Sequence, residues 1–266
     1  MNGSPARAVA RLAGLAAVTA VHVPPQLCAM RLSPTWARRI PRAFHRNCLR
    51  ALGVSVTVEG AISPARPALF VSNHISYLDI PVLGSLTELS FIAKDEIARW
   101  PVAGAMARMQ RTIFIGRRRQ GATGERDQLE ERLAAGDRLV LFPEGTTGNG
   151  TRPRPFKSAL FSVVERAGER PLAVQPVTIA YTRLDGMPLT MHIRHLVAWY
   201  GAMAMGAHLW RLLGLGRIKV HVIFHPVVDR AAFASRKALA RHCEQVVGAA
   251  LARANAGRTP LIIESP

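Results

Sequence analysis

A histidine and an aspartate five positions apart, His74 and Asp79, stand where an apolar run stops. The run Ala68-Leu69-Phe70-Val71 is short and continuous, as a buried strand would be, and Ser72-Asn73 is a polar stop suited to a turn. A helix beginning near Ser76 curls Asp79 back toward that turn, so the two side chains can meet. A carboxylate on one ring nitrogen fixes the tautomer of an imidazole and leaves the other nitrogen free to take a proton from a hydroxyl or an amine. That is base catalysis without a protein nucleophile. A turn histidine satisfied by its neighbours has the same local sequence, so other stretches must decide between the two.

One such stretch is Val140-Leu141-Phe142-Pro143-Glu144-Gly145-Thr146-Thr147, again a buried-strand run that ends in a turn with a carboxylate. Two more lie in between and beyond, Thr112-Ile113-Phe114-Ile115-Gly116-Arg117 and Val174-Gln175-Pro176-Val177. With these four blocks the chain resembles the glycerolipid acyltransferases typified by 1-acylglycerol-3-phosphate acyltransferase. That family carries an H-x4-D block, a block with a basic residue, F-P-E-G-T and a late strand with a central Pro. All four occur in the family's order, over roughly residues 52–228.

The resemblance implies transfer of a fatty acyl group from an acyl thioester, on acyl carrier protein or coenzyme A, to the free hydroxyl of a lysolipid. His74 is then the general base, held by Asp79. Lys94 closes the strand Leu89-Ser90-Phe91-Ile92-Ala93, where a similar Lys in the family points into the active site, toward an anionic headgroup or the developing oxyanion. Arg117 matches the basic residue of the second block, whose guanidinium can grip a phosphate with two parallel hydrogen bonds. Gly145 lets backbone approach a ligand, Glu144 and Thr146 face the acceptor's hydroxyls, and Lys157 occupies the family's Phe-Lys pair. The commonest family form continues Gly-Thr-Arg, and this chain has Thr147 where that Arg stands. The resemblance implies 1-acylglycerol-3-phosphate, giving phosphatidate, as the first acceptor, with lyso-ornithine lipid, whose headgroup has no phosphate, as the alternative that the missing Arg keeps open. Nothing in the four blocks calls for a metal or a bound cofactor.

Lys and Arg number 35 against 17 Asp and Glu in 266 residues, a formal net charge of +18. Nucleic acid or an anionic membrane surface are the natural partners of such a chain. We favour the membrane, because Arg38-Arg39 and Arg117-Arg118-Arg119 neighbour apolar segments and lack interleaved aromatics. A basic, non-enzymatic membrane or nucleic-acid binding protein would share the charge but would not need a His and carboxylates at successive strand ends. Cys28, Cys48 and Cys243 are too far apart for a disulfide framework or a metal site and fit a reducing compartment.

Leu12 to Val23 is apolar apart from Thr19 and His22 and runs into Pro24-Pro25, which should break a helix. A hairpin dipping into one leaflet, a kinked spanning helix and a cleaved signal are the three readings, in that order, because Arg7, Arg11 and Arg31 bracket the segment. Trp36, Ile40, Phe44, Cys48 and Leu52 recur at four-residue intervals as one face of a basic amphipathic helix. Val54 to Val58 alternates as a first strand, and Pro176 should place its strand at an edge, a bulge or an end. The expected architecture is an α/β domain over residues 53–266, with a mixed sheet of seven or eight strands covered by helices. A membrane-associating helical segment, residues 1–52, precedes it on the cytoplasmic face of the cell membrane.

Overall fold

The computed structural model describes residues 3–116, 122–166 and 172–258. Its strands are β1 Val54–Glu59, β2 Ala68–Ser72, β3 Ser90–Lys94, β4 Ile113–Ile115, β5 Arg138–Leu141, β6 Ala173–Leu184, β7 Met187–Pro188 and β8 Ile218–Phe224. They form one sheet in the order β1-β8-β6-β2-β5-β3-β4, with β7 paired to β6. From β6 to β4 the strands are parallel, whereas β8 is antiparallel to β6 and carries β1 parallel to itself. This is the mixed sheet expected, and its parallel part puts the carboxyl ends of β2, β5, β3 and β4 along one edge.

The central strands read as unbroken apolar runs because both of their faces are buried. In β2 and β5, Phe70 and Val140 point into a cluster with Leu49, Val177 and Phe224, while Leu69, Val71, Leu139 and Leu141 point into a second cluster with Leu129, Phe161 and Val247. The covering helices are α1 Pro5–Leu32, α2 Pro34–Leu52, α3 Asp79–Leu86, α4 Asp95–Ala98, α5 Pro101–Met109, α6 Ala122–Ala134, α7 Ser162–Arg166, α8 Met205–Gly214 and α9 Arg236–Asn255.

At the N-terminus the structure departs from expectation in three ways. α1 runs unbroken through Pro24 and Pro25, and the chain turns instead at Ser33, whose amide donates to Ala29 O while its hydroxyl caps α2 at Trp36 N. Packing on neighbours offsets the two missing amide donors: just past the Pro pair, buried Gln26 donates to Ala37 O at 3.1 Å and Met109 O at 2.7 Å. Arg11, a flanking charge of the apolar segment, is committed inside the fold, donating to the carbonyls of Leu213, Leu215 and Gly216 at the end of α8, where a helix leaves acceptors unpaired. Finally, the buried stripe of α2 is Ala37, Pro41, His45, Cys48, Leu49 and Leu52, turned from the one expected, and Trp36 lies outside. Gly53, at φ 67°, ends α2 in the left-handed conformation and feeds β1.

Only Ala8, Gln26 and Ala29 of α1 are buried, and Val21, Leu32 and Trp36 are 67%, 82% and 57% exposed. With mean hydropathy 1.4 over its most apolar window, α1 is long and apolar enough to cross a membrane.

Pro176 sits in an interior strand, paired with Val71 of β2. It is tolerated because the ladder to β8 begins only at Val177. Beyond Phe224 the chain leaves the ladder, keeping single bonds from His225 N to Pro176 O and from Val228 N to Val174 O.

Candidate active site

β2 ends at Ser72, and Asn73 and His74 leave its carboxyl end. Asn73 imitates one more ladder residue: its amide nitrogen donates to Ile179 O at 2.9 Å and its oxygen accepts from Ile179 N at 2.8 Å, pinning the turn to β6. Asp79 is the first residue of α3, and its carboxylate folds back over the turn. Oδ2 accepts from Ile75 N at 2.6 Å, Ser76 N at 3.0 Å and His74 Nδ1 at 2.7 Å, while Oδ1 accepts from the Tyr181 hydroxyl at 2.7 Å. An ionised carboxylate only accepts, so Nδ1 carries the ring proton and Nε2 is left with its lone pair. Among the described residues Nε2 has no hydrogen-bond partner. The His74 side chain is 19% exposed and that of Asp79 not at all, so the ring is open on one side of a closed carboxylate. Phe142 stacks beneath the ring, centroids 4.1 Å apart and 15° from parallel.

Phe142 follows β5, the neighbour of β2 in parallel register Val71 to Leu141. The two signature turns therefore emerge side by side and are stitched together by backbone. Glu144 Oε1 accepts from His74 N at 2.8 Å, its Oε2 accepts from Arg154 N at 2.9 Å, and Gly148 N donates to His74 O at 2.8 Å. Glu144 is expected from sequence to face acceptor hydroxyls; here it is buried and both of its oxygens serve these amides. Burial pushes its carboxyl up to about 7 against the opposing pull of the two amide donors.

That shift has a stability consequence with a defined sign. The unfolded carboxyl titrates near 4.5 and the folded one near 7, so between these values the native state binds more protons and stability falls as pH rises. The contribution is present below the lower value and lost above the upper one, about 3 kcal/mol in all. Glu144→Gln should remove this slope while adding a constant cost for one amide left facing an NH2 group. Urea unfolding in detergent at pH 4.5 and pH 8 checks it.

The other predicted residues fall as follows. Gly145 has φ 66°, and a Cβ built on it would lie 3.2 Å from Lys157 Nζ, so the Lys157 ammonium rests across the bare glycine. Thr146 is exposed next to it, and Thr147 is buried, leaving no cation at the position where the family's common form has one. Lys94, half-buried, is the last residue of β3, on the same sheet edge as His74 and Glu144. Arg117 lies outside the described residues. The structure thus brings together His74, Asp79, Glu144, Gly145 and Lys157 by direct contact, and Lys94 by topology. Sequence reasoning missed Asn73, the Phe142 ring and Tyr181; only Tyr181 carried a signal, since a tyrosine inside an apolar strand needs a partner for its hydroxyl.

This arrangement offers a base with one open nitrogen, a buried counter-charge and neighbouring cations at a sheet edge. Comparison with known proteins points to the same chemistry. Residues 54–180 match the Acyltransferase family. A lyso-ornithine lipid O-acyltransferase of Brucella abortus (strain 2308) is 42% identical over 93% of this chain and 94% of its own length. A 1-acyl-sn-glycerol-3-phosphate acyltransferase of Neisseria gonorrhoeae is 32% identical over 82% of this chain and 83% of its own. Among solved structures, the 1-acyl-sn-glycerophosphate (LPA) acyltransferase PlsC of Thermotoga maritima superposes with a TM-score of 0.67 over 92% of this chain and 93% of that one, at 23% identity.

Proposed function

The chain belongs to the acyltransferase family, in its lysolipid-acylating branch, and on that premise we propose that it O-acylates lyso-ornithine lipid with His74 as general base. The observation that carries the catalytic part is the 2.7 Å bond from His74 Nδ1 to a fully buried Asp79 that leaves Nε2 open. Nε2 takes the proton of the acceptor hydroxyl as its oxygen attacks the thioester carbonyl carbon. The tetrahedral oxyanion collapses, the carbon–sulfur bond breaks, and the thiolate recovers the proton from the imidazolium. Asp79 stabilises that imidazolium between the two transfers. Lys94 and Lys157 lie on the same edge and offer positive charge to the oxyanion or to an anionic group of the substrates, and Arg117 is assigned the same office from sequence. Gly145 and Thr146 shape the entrance beside them. The route is direct, without an acyl-enzyme, since among the described residues no Ser or Cys side chain is hydrogen-bonded to His74 Nε2 for activation as a nucleophile.

For the acceptor, higher identity to the lyso-ornithine lipid enzyme and the uncharged, buried Thr147 favour a headgroup without phosphate. Likeness to the Neisseria enzyme supports 1-acylglycerol-3-phosphate as the second reading, giving phosphatidate. The donor is acyl carrier protein or coenzyme A thioester, and α1 docks the enzyme on the cytoplasmic face of the cell membrane, where both donors are found. Purified enzyme given lyso-ornithine lipid and 1-acylglycerol-3-phosphate side by side, with each donor, should acylate the first with the higher kcat/KM. Transfer to the phosphate-bearing acceptor alone would move the assignment to the second reading.

A further inference from the structure

Tyr181 is a fully buried residue of β6 with no part in the proton transfers above. We propose that Tyr181 is a positioning residue that fixes the second oxygen of Asp79 and thereby sets the orientation and basicity of His74. The inference rests on His74 acting as base and adds to that reading a device three strands removed in sequence. Oδ2 of Asp79 is engaged by three N–H donors from its own turn, which hold one end of the carboxylate. Oδ1 has one partner among the described residues, the Tyr181 hydroxyl at 2.7 Å, which comes from the opposite side. Two-sided restraint stops the carboxylate from rotating about its own axis, and a carboxylate that cannot rotate holds the imidazole in one plane.

The tyrosine is aimed by the fold. The pairing of β6 with β8 shifts register between Tyr181 and Arg183, an irregularity of the kind that redirects a side chain next to a site. Its carbonyl is gripped by the guanidinium of Arg194, itself buried, at 3.3 Å. The charged and titratable groups facing the pair are otherwise committed elsewhere. Glu144 reaches it only through the His74 amide, and the Tyr77 hydroxyl is bonded to His208 Nδ1 at 2.9 Å. Burial, with the charge of Asp79 next, raises the Tyr181 phenol well above its ordinary range, so it stays a donor at every working pH.

A donor on Oδ1 draws charge away from the carboxylate and moderates the basicity it confers on His74. With the carboxylate free to rotate, the imidazole is no longer held in one plane, so Tyr181→Phe should lower kcat about tenfold with KM for both substrates unchanged. It should also move the acid limb of the kcat–pH profile up by about one unit, the size of one hydrogen bond to a charged group. The same shift should appear in the NMR titration of the His74 ring, which needs no turnover. Site-specific 3,5-difluorotyrosine at position 181 keeps the shape and strengthens the donor, so limb and titration should move down; this protein carries the test if the Phe variant folds poorly. Titrations of both variants that coincide with wild type would overturn the proposal while leaving the base reading intact, provided His74→Ala loses about 10²-fold or more in kcat. Unchanged kcat in His74→Ala would overturn both.

Discussion

His74→Ala should lose between about 10²- and 10⁴-fold in kcat while keeping its fold, its membrane association and the KM of both substrates. The size follows from the role. Without Nε2 the acceptor hydroxyl must lose its proton to water, and the remaining machinery can only bind and orient. Retention of the fold follows from the bonding around the site. Asp79 keeps Ile75 N, Ser76 N and the Tyr181 hydroxyl when the imidazole is removed, and Glu144 keeps its bond to the backbone amide of residue 74. The stability lost is the stack of His74 on Phe142, about 1 kcal/mol, together with its bond to Asp79, about 1.5–3 kcal/mol. Steady-state kinetics with circular dichroism on the same preparation check both halves, and unchanged kcat would remove His74 from the mechanism.

Asp79→Asn should cost on the order of 10³-fold in kcat, and the reason is charge more than shape. The Asn amide can place its oxygen where three N–H donors converge and turn its NH2 group toward the Tyr181 hydroxyl, which can reverse and accept. The turn is thereby kept, but the imidazolium formed in the reaction loses its buried counter-charge. Asp79→Ala is a different experiment. It leaves buried amides at Ile75 and Ser76 without an acceptor, at about 1–3 kcal/mol each, and should unfold the start of α3 as well as stop turnover. Comparing the thermal midpoints of the two variants separates the effects, and Asn activity within threefold of wild type would show that the carboxylate charge is not used.

Much of this site was legible because buried parallel strands write themselves as continuous apolar runs. Ala68 to Val71 and Val140 to Leu141 announce strands, and the polar residues that stop them fall at the sheet edge. Strand order was not legible. Nothing local in the sequence says that β2 and β5 are neighbours or that β6 lies on the other side of β2, so the bond from Glu144 to the His74 amide had no sequence signal, and the need of the Tyr181 hydroxyl for a partner did not say that the partner is Asp79. Local rules also failed where tertiary contacts overrode them. Pro24 and Pro25 should end a helix, yet Gln26 and α2 carry α1 past them. A four-residue spacing drifts about 40° per step from the helix repeat, so the expected stripe on α2 begins with Trp36 on the outside. The basic ends of α1 read as membrane boundary charges, but Arg11 is consumed by the carbonyl end of α8, a partner about two hundred residues away in sequence.

Nitrogen-15 NMR of the His74 side chain, in enzyme labelled at histidine and assigned by comparison with His74→Ala, reads directly which ring nitrogen holds the proton. The neutral ring should carry its proton on Nδ1, bonded to Asp79, with Nε2 showing the shift of an unprotonated nitrogen. A neutral ring with its proton on Nε2 would leave no lone pair facing the acceptor and would contradict the account.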